Sequence, residues 1–184
     1  YVYEEKPAPP FFLDDLESDP NVTGWSTGVD DAGAETLWEW GPPSEGGVGP
    51  VGGAGGSANC FGTNLAGEHG FDADVWLRSP PIDLRGAGIS GAILKMQQFK
   101  DIETPSPDLF DYGIIRVLRA ADLVQLGADV ANDITGLSTD WEDYETSLPA
   151  EAVGEIIVLE FRFISDDVQN FTGWYIDDVA IVLE

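Results

Sequence analysis

Side chains able to act as nucleophile, base or metal ligand are unevenly supplied in this chain. Its 184 residues hold one Cys, Cys60, and one His, His69, against 34 Asp and Glu. A thiol or hydroxyl nucleophile activated by imidazole needs both side chains within hydrogen-bond reach. Cys60 and His69 are nine positions apart, but neither lies in a nucleophile motif. Cys60 therefore reads as a small buried residue and His69, in G-E-H-G-F, as part of a surface loop. A single Cys allows no internal disulfide, and a single His excludes a His-rich zinc site.

Paired carboxylates could serve glycoside hydrolysis, which needs two of them across a cleft at roughly 5–9.5 Å. Asp14-Asp15, Asp30-Asp31, Asp166-Asp167 and Asp177-Asp178 are such pairs by sequence. Among so many acidic residues adjacent pairs arise by chance, and neighbours on a strand point to opposite faces. The hydrolase reading is the minor alternative. Calcium, which takes six to eight oxygen ligands, fits this composition better. No EF-hand loop is present, and the nearest fragment, Asp72-Ala73-Asp74, lacks its continuation, so an ion site would draw ligands from distant segments. Of the Trp residues, Trp25, Trp76 and Trp174 sit in strand patterns that predict burial. Trp38 and Trp40, two apart on one strand face, are the candidates to face a ligand.

These residues must be positioned by strands, since Gly and Pro interrupt the chain too often for long helices. A short apolar stretch at 120–130 is the exception. Strand-like runs occur at 11–17, 24–29, 36–40, 60–64, 75–79, 90–99 and 111–119. Ile156–Ile164 alternates, with Ile157, Leu159, Phe161 and Phe163 on one face and Val158, Glu160 and Arg162 on the other. Gly173–Leu183 forms the last strand. Residues 41–59 are so rich in Gly that they predict a long exposed loop. Many short strands without a fixed repeat describe an all-β fold, an antiparallel β-sandwich. The domain spans 11–184, and residues 1–10, charged and Pro-rich, read as a linker or processed segment.

The formal charge is −26, from 8 Lys and Arg against 34 Asp and Glu. Eight scattered cations cannot form a phosphate-binding footprint, so nucleic acid is excluded, and an anionic membrane surface repels such a chain. No apolar run approaches the roughly 20 residues of a membrane-spanning helix, so no membrane insertion is expected. With 43% hydrophobic residues the chain is not a disordered acidic tail.

Five motifs in order carry a family resemblance: L-W-E-W-G-P-P-S at 37–44, C-F-G-T-N-L-A-G at 60–67, W-L-R-S-P-P-I-D-L at 76–84, F-D-Y-G at 110–113 and G-W-Y-I-D-D-V at 173–179. The string resembles the MAM-like jelly-roll domains of secreted bacterial proteins, of the type attached to immune inhibitor A and bacillopeptidase F proteases. It departs from that pattern at Phe61, where Trp is usual, and in F-D-Y-G, a degenerate form of its motif. The disulfides of animal MAM domains are absent. The resemblance implies a two-sheet antiparallel jelly-roll β-sandwich, similar also to carbohydrate-binding modules, and no catalytic role. It further implies one structural calcium ion (Ca2+) between the first and last strands, held by Glu17, Asp177 and Asp178. The expected function is a noncatalytic extracellular or cell-surface module binding glycan or protein surfaces, or assisting an attached protease, with other domains of a parent protein as partners. A self-assembling surface filament or scaffold subunit is the alternative.

Overall fold

The computed structural model describes residues 9–31, 35–43 and 49–184; most of the expected linker lies outside them. Strands follow as β1 (Phe12–Asp14), β2 (Ser26–Val29), β3 (Trp38–Gly41), β4 (Cys60–Thr63), β5 (Asp74–Arg78), β6 (Ile82–Asp83), β7 (Ala92–Ile102), β8 (Tyr112–Arg119), β9 (Ala131–Ile134), β10 (Gly136–Leu137), β11 (Glu142–Ser147), β12 (Ile156–Ile164) and β13 (Gly173–Leu183). A single α-helical turn, α1 (Pro20–Thr23), separates β1 from β2, capped by the Asp19 carboxylate at its start and by Gly24 at φ +96° at its end.

The strands make two antiparallel sheets stacked as a jelly-roll sandwich. One runs β10-β7-β13-β4-β3, with β1 added to β13 and β11 to β7; the other runs β2-β5-β12-β8-β9, with β6 added to β12. First and last strands do lie side by side, Phe12 opposite Ile181 and Asp14 opposite Val179. The β12 alternation appears as read: Ile157, Leu159, Phe161 and Phe163 are fully buried between the sheets.

On β13, Trp174 and Ile176 point into that core, and continued alternation would bring Asp178 in next. A bulge prevents this. The register with β7 shifts between Asp177 and Ala180, Asp178 takes φ +49°, and Val179 and Ile181 become the next core residues. The bulge spares Asp178 full burial and leaves Asp177 and Tyr175 on the outer side of the seven-stranded sheet.

Several expectations are corrected. The run 11–17 is a strand only over Phe12–Asp14, because the Asp14 carboxylate accepts the Leu16 N–H and Leu16 turns to φ +54°. Residues 120–130 are a turn rather than a helix; Leu123 and Gly127 have positive φ and Gln125 pairs with Leu118. Trp76 is not buried: it stands on the outer face of β5 with the Arg78 guanidinium 3.9 Å above its ring. The polar strand β11, E-D-Y-E-T-S, escaped notice because its alternation carries charges rather than apolar residues.

The described part of the Gly-rich segment also differs from a free exposed loop. It folds over the outer face of the seven-stranded sheet, with Pro50, Gly53 and Ala54 buried. Beneath it lie Cys60, Phe99 and Tyr175, flanked by Trp141, whose indole N–H donates to the Gly52 carbonyl at 3.2 Å. Glycine is what permits this approach: a Cβ on Gly53 would stand 2.2 Å from Ser57 Oγ and 2.7 Å from Asp177 Oδ2.

Candidate functional site: an aromatic cleft between the sheets

Trp38 and Trp40 sit on β3, an edge strand, where they pair with Thr63 and Phe61 of β4. Trp38 is 4% exposed and packs edge-to-face on Trp174, ring centroids 5.6 Å apart. Trp40 is half-buried and donates its indole N–H to the Leu16 carbonyl at 2.6 Å. Neither is a free-standing platform. Both line a cavity of about 330 Å³ where β3 of one sheet faces β2 of the other.

The opposite wall was not anticipated. Trp25, read as core from its strand pattern, is buried against Phe61 (5.4 Å) and Phe161 (6.3 Å), yet it too lines the cavity, as does Phe61. Its indole N–H is held by Asp14 at 2.8 Å. Pro20, Asn21, Ser26 and Thr27 complete the lining. The sequence signal was T-G-W-S-T-G at 23–28, an aromatic followed by two hydroxyls, though nothing in it says that β2 faces β3. The Trp38 indole N–H is buried and makes no hydrogen bond. An unpaired buried donor costs about 1–3 kcal/mol. The cleft thus combines ring faces with hydroxyl and amide side chains, a lining suited to a ligand with apolar faces and polar edges.

Glu17, Asp177 and Asp178 come into one neighbourhood beside the β13 bulge, with Asp15 close enough to act on Asp178. They do not aim at a common point. Asp177, fully buried, accepts on Oδ2 from the Ala54 N–H (2.8 Å) and Ser57 Oγ (2.9 Å), and on Oδ1 from the Asp178 N–H (2.8 Å). Glu17 Oε1 accepts from the N–H groups of Ala58 (3.1 Å) and Asn59 (2.7 Å). Burial pushes the Asp177 carboxyl up to about 6 against the pull of these donors; burial, then the charges of Asp15 and Glu17, raise Asp178. What the residues do here is pin residues 53–59 onto the sheet. Both Asp177 oxygens and Glu17 Oε1 are thus taken by donors of the protein, while Asp178 contributes its N–H to the arrangement.

Cys60 and His69 do not combine. Cys60 is fully buried under the Gly-rich segment, and burial, followed by the charges of Asp177 and Glu17, pushes its thiol far above the ordinary range, so it holds no thiolate. His69 is not a surface residue: it is 1% exposed, between Phe163 and Phe171. Of the carboxylate pairs, Asp14 holds the Trp25 indole, Asp30 is engaged by Arg162 and Trp76, and Asp177 by the donors above.

No family model matches the chain. Bacillopeptidase F of Bacillus subtilis (strain 168) is 34% identical over 170 residues, which is 92% of this chain and 10% of that protein. The chain therefore spans about a tenth of the length of this relative. Among solved structures, an apo cyclase from Fischerella sp. matches with a TM-score of 0.56 at 16% identity, covering 99% of this chain and 91% of the other. The K3 cleaved adhesin domain of Lys-gingipain from Porphyromonas gingivalis matches with a TM-score of 0.51 at 19% identity, covering 86% and 90%. These likenesses establish the shared sandwich fold. No helix among the described residues is long and apolar enough to cross a membrane.

Proposed function

We propose that this chain is a noncatalytic, MAM-like recognition module of a larger secreted or cell-surface protein, and that it binds a glycan in the cleft between β2 and β3. The observation that carries the reading is the cleft itself: four aromatic side chains, two hydroxyls and an amide around about 330 Å³. A pyranose offers the matching chemistry, with C–H faces to lie on rings and hydroxyls to meet donors and acceptors. The likeness to a tenth of bacillopeptidase F supports a part built into a longer chain, where binding would hold an attached protease near its substrate. The likeness to a gingipain adhesin domain supports the sandwich fold on which such a cleft is built.

The reading also accounts for the dead Cys60 thiol and for the hydrogen-bonded His69 and Asp177. These groups hold structure rather than perform chemistry.

Binding isotherms against a panel of soluble polysaccharides test it. At least one glycan is expected to bind, and Trp40→Ala is expected to weaken that binding about tenfold, the loss of one stacked aromatic face. Because Trp40 also tethers Leu16, Thr27→Trp serves as the second variant: Thr27 is exposed, and an indole there plugs the cleft without removing a structural contact. Unchanged affinity in both folded variants, or no binding across the panel, would overturn the assignment.

A further inference from the structure

We propose that Glu103, Asp111 and Asp166 form a binding site for one calcium ion, which ties the loop between β7 and β8 to the loop between β12 and β13. Glu103 directly follows β7, Asp111 directly precedes β8 and Asp166 lies two residues beyond β12. One carboxylate oxygen from each lies within 4.8 Å of the other two. Oxygens bonded to a single calcium at 2.3–2.6 Å are at most about 5 Å apart, so this spacing suits one coordination sphere.

Proximity of acidic groups alone would prove little, but here two of the three residues bury an oxygen without a donor, while Asp166 Oδ1 accepts the Val168 N–H at 2.9 Å. The Asp111 side chain is fully buried. Its Oδ1 accepts the Asp166 N–H at 2.9 Å, while Oδ2 has no hydrogen-bond partner. His69 Nε2 stands 3.4 Å from Oδ2. That nitrogen already accepts the Phe171 N–H at 3.1 Å, and Nδ1 faces the Gly70 carbonyl at 3.1 Å. These two backbone partners place the imidazole proton on Nδ1, so Nε2 presents a lone pair and not a proton. Glu103 Oε2 is a second buried oxygen without a donor, and Asn170 Oδ1, on the same loop as Asp166, is a third.

No Lys or Arg among the described residues answers this charge. The seven described Lys and Arg residues all pair with carboxylates elsewhere: Arg78, Arg116 and Arg162 around Glu160, Arg85 with Asp83, Arg119 with Asp122 and Glu155, Lys95 with Glu145 and Lys100 with Glu142. A buried carboxylate oxygen without donor or cation is expensive. A bound cation removes that expense, and the oxygen-only ligand set selects a hard ion. Irregular loop ligands favour calcium over magnesium, which demands near-octahedral geometry at 2.0–2.1 Å. The ion would fix the ends of four strands, two from each sheet. This set is distinct from the one implied at the first and last strands, and the inference stands independently of glycan binding.

The test uses the whole chain, freed of metal with chelator and titrated with calcium chloride by calorimetry and thermal melting. One site per chain is expected, with Tm raised by about 5–10 °C at calcium a hundredfold above Kd. Asp111→Asn should abolish the heat and the Tm rise, Glu103→Gln and Asp166→Asn should each weaken binding at least tenfold, and the Glu17→Gln, Asp178→Asn double variant should bind as wild type does. If Asp111→Asn fails to fold, the two partly exposed positions carry the test. A wild-type melting curve indifferent to calcium would overturn the proposal. So would unchanged affinity in Glu103→Gln and Asp166→Asn, loss of binding in the double variant, or equal affinity for magnesium.

Discussion

Two carboxylate groups in this molecule look alike on paper and are opposites in space. Beside the β13 bulge, Asp177 is fully buried and Glu17 is exposed, yet the protein supplies donors to both: two N–H groups and a hydroxyl for Asp177, two N–H groups for Glu17. Where the loop joining β7 to β8 passes from one sheet to the other, Asp111 and Glu103 each bury an oxygen that no donor reaches. The difference lies in what the backbone presents. Residues 53–59 turn tightly enough to aim successive N–H groups at the first group, as only a Gly-rich segment can at such close range. The loops around Asp111 turn one N–H toward it. A carboxylate's burial therefore says little about its role until its hydrogen bonds are counted, and it is the buried oxygen without a donor that motivates the proposed calcium site.

Substitutions at the two groups should respond with different size and different sign. The largest effect is expected for Asp177→Ala, which strands the Ala54 and Asp178 N–H groups and the Ser57 hydroxyl. Urea unfolding should show a loss of about 4 kcal/mol, the same with or without calcium. A loss under about 1 kcal/mol would mean that water replaces the carboxylate easily, and the contrast would collapse. Gly53→Ala attacks the same turn from the backbone side. Its Cβ meets Ser57 Oγ, Asn59 O and Asp177 Oδ2 at 2.2–2.7 Å, and about 2 kcal/mol should be lost in the same assay.

Asp111→Asn sharpens the contrast further. In chelator this change removes a charge without a donor while keeping an oxygen for the Asp166 N–H, so stability should rise by about 1 kcal/mol; in calcium the variant should fall below wild type. Loss of stability in chelator would show that Asp111 is already satisfied. The smallest effect belongs to Glu17→Gln, whose amide oxygen can still accept from Ala58 and Asn59 at an exposed position. A shift within about 0.5 kcal/mol is expected, and a larger one would assign Glu17 a charge-dependent role.

Much of the architecture was legible, because period-2 alternation is local. β12 showed its buried face in the sequence, and the motifs around Cys60, Trp76 and Trp174 fell on β4, β5 and β13. The site was legible only in part. Trp38 and Trp40 could be put on one strand face, but their burial against Trp174 and the facing wall of Trp25, Ser26 and Thr27 depend on strands paired far apart in sequence. Asp111 and Asp166 were visible, one inside a family motif and one in an acidic pair. Glu103 stood alone, and no local rule joins it to them.

By itself, then, the sequence determined the all-β class, the identity of the central strands, the acidic character, and the lack of a nucleophile motif around Cys60 and His69. These follow from composition and from spacings of two residues, which each segment carries within itself. The tertiary structure alone decided that a glycine-rich segment lies on the sheet, that a bulge at Asp178 changes which residues enter the core, and that Glu103, Asp111 and Asp166 meet. Alternation fixes the side to which a residue points but not the strand or loop it meets there, and donors and ligands are matched only when segments 55 to 123 positions apart are packed together.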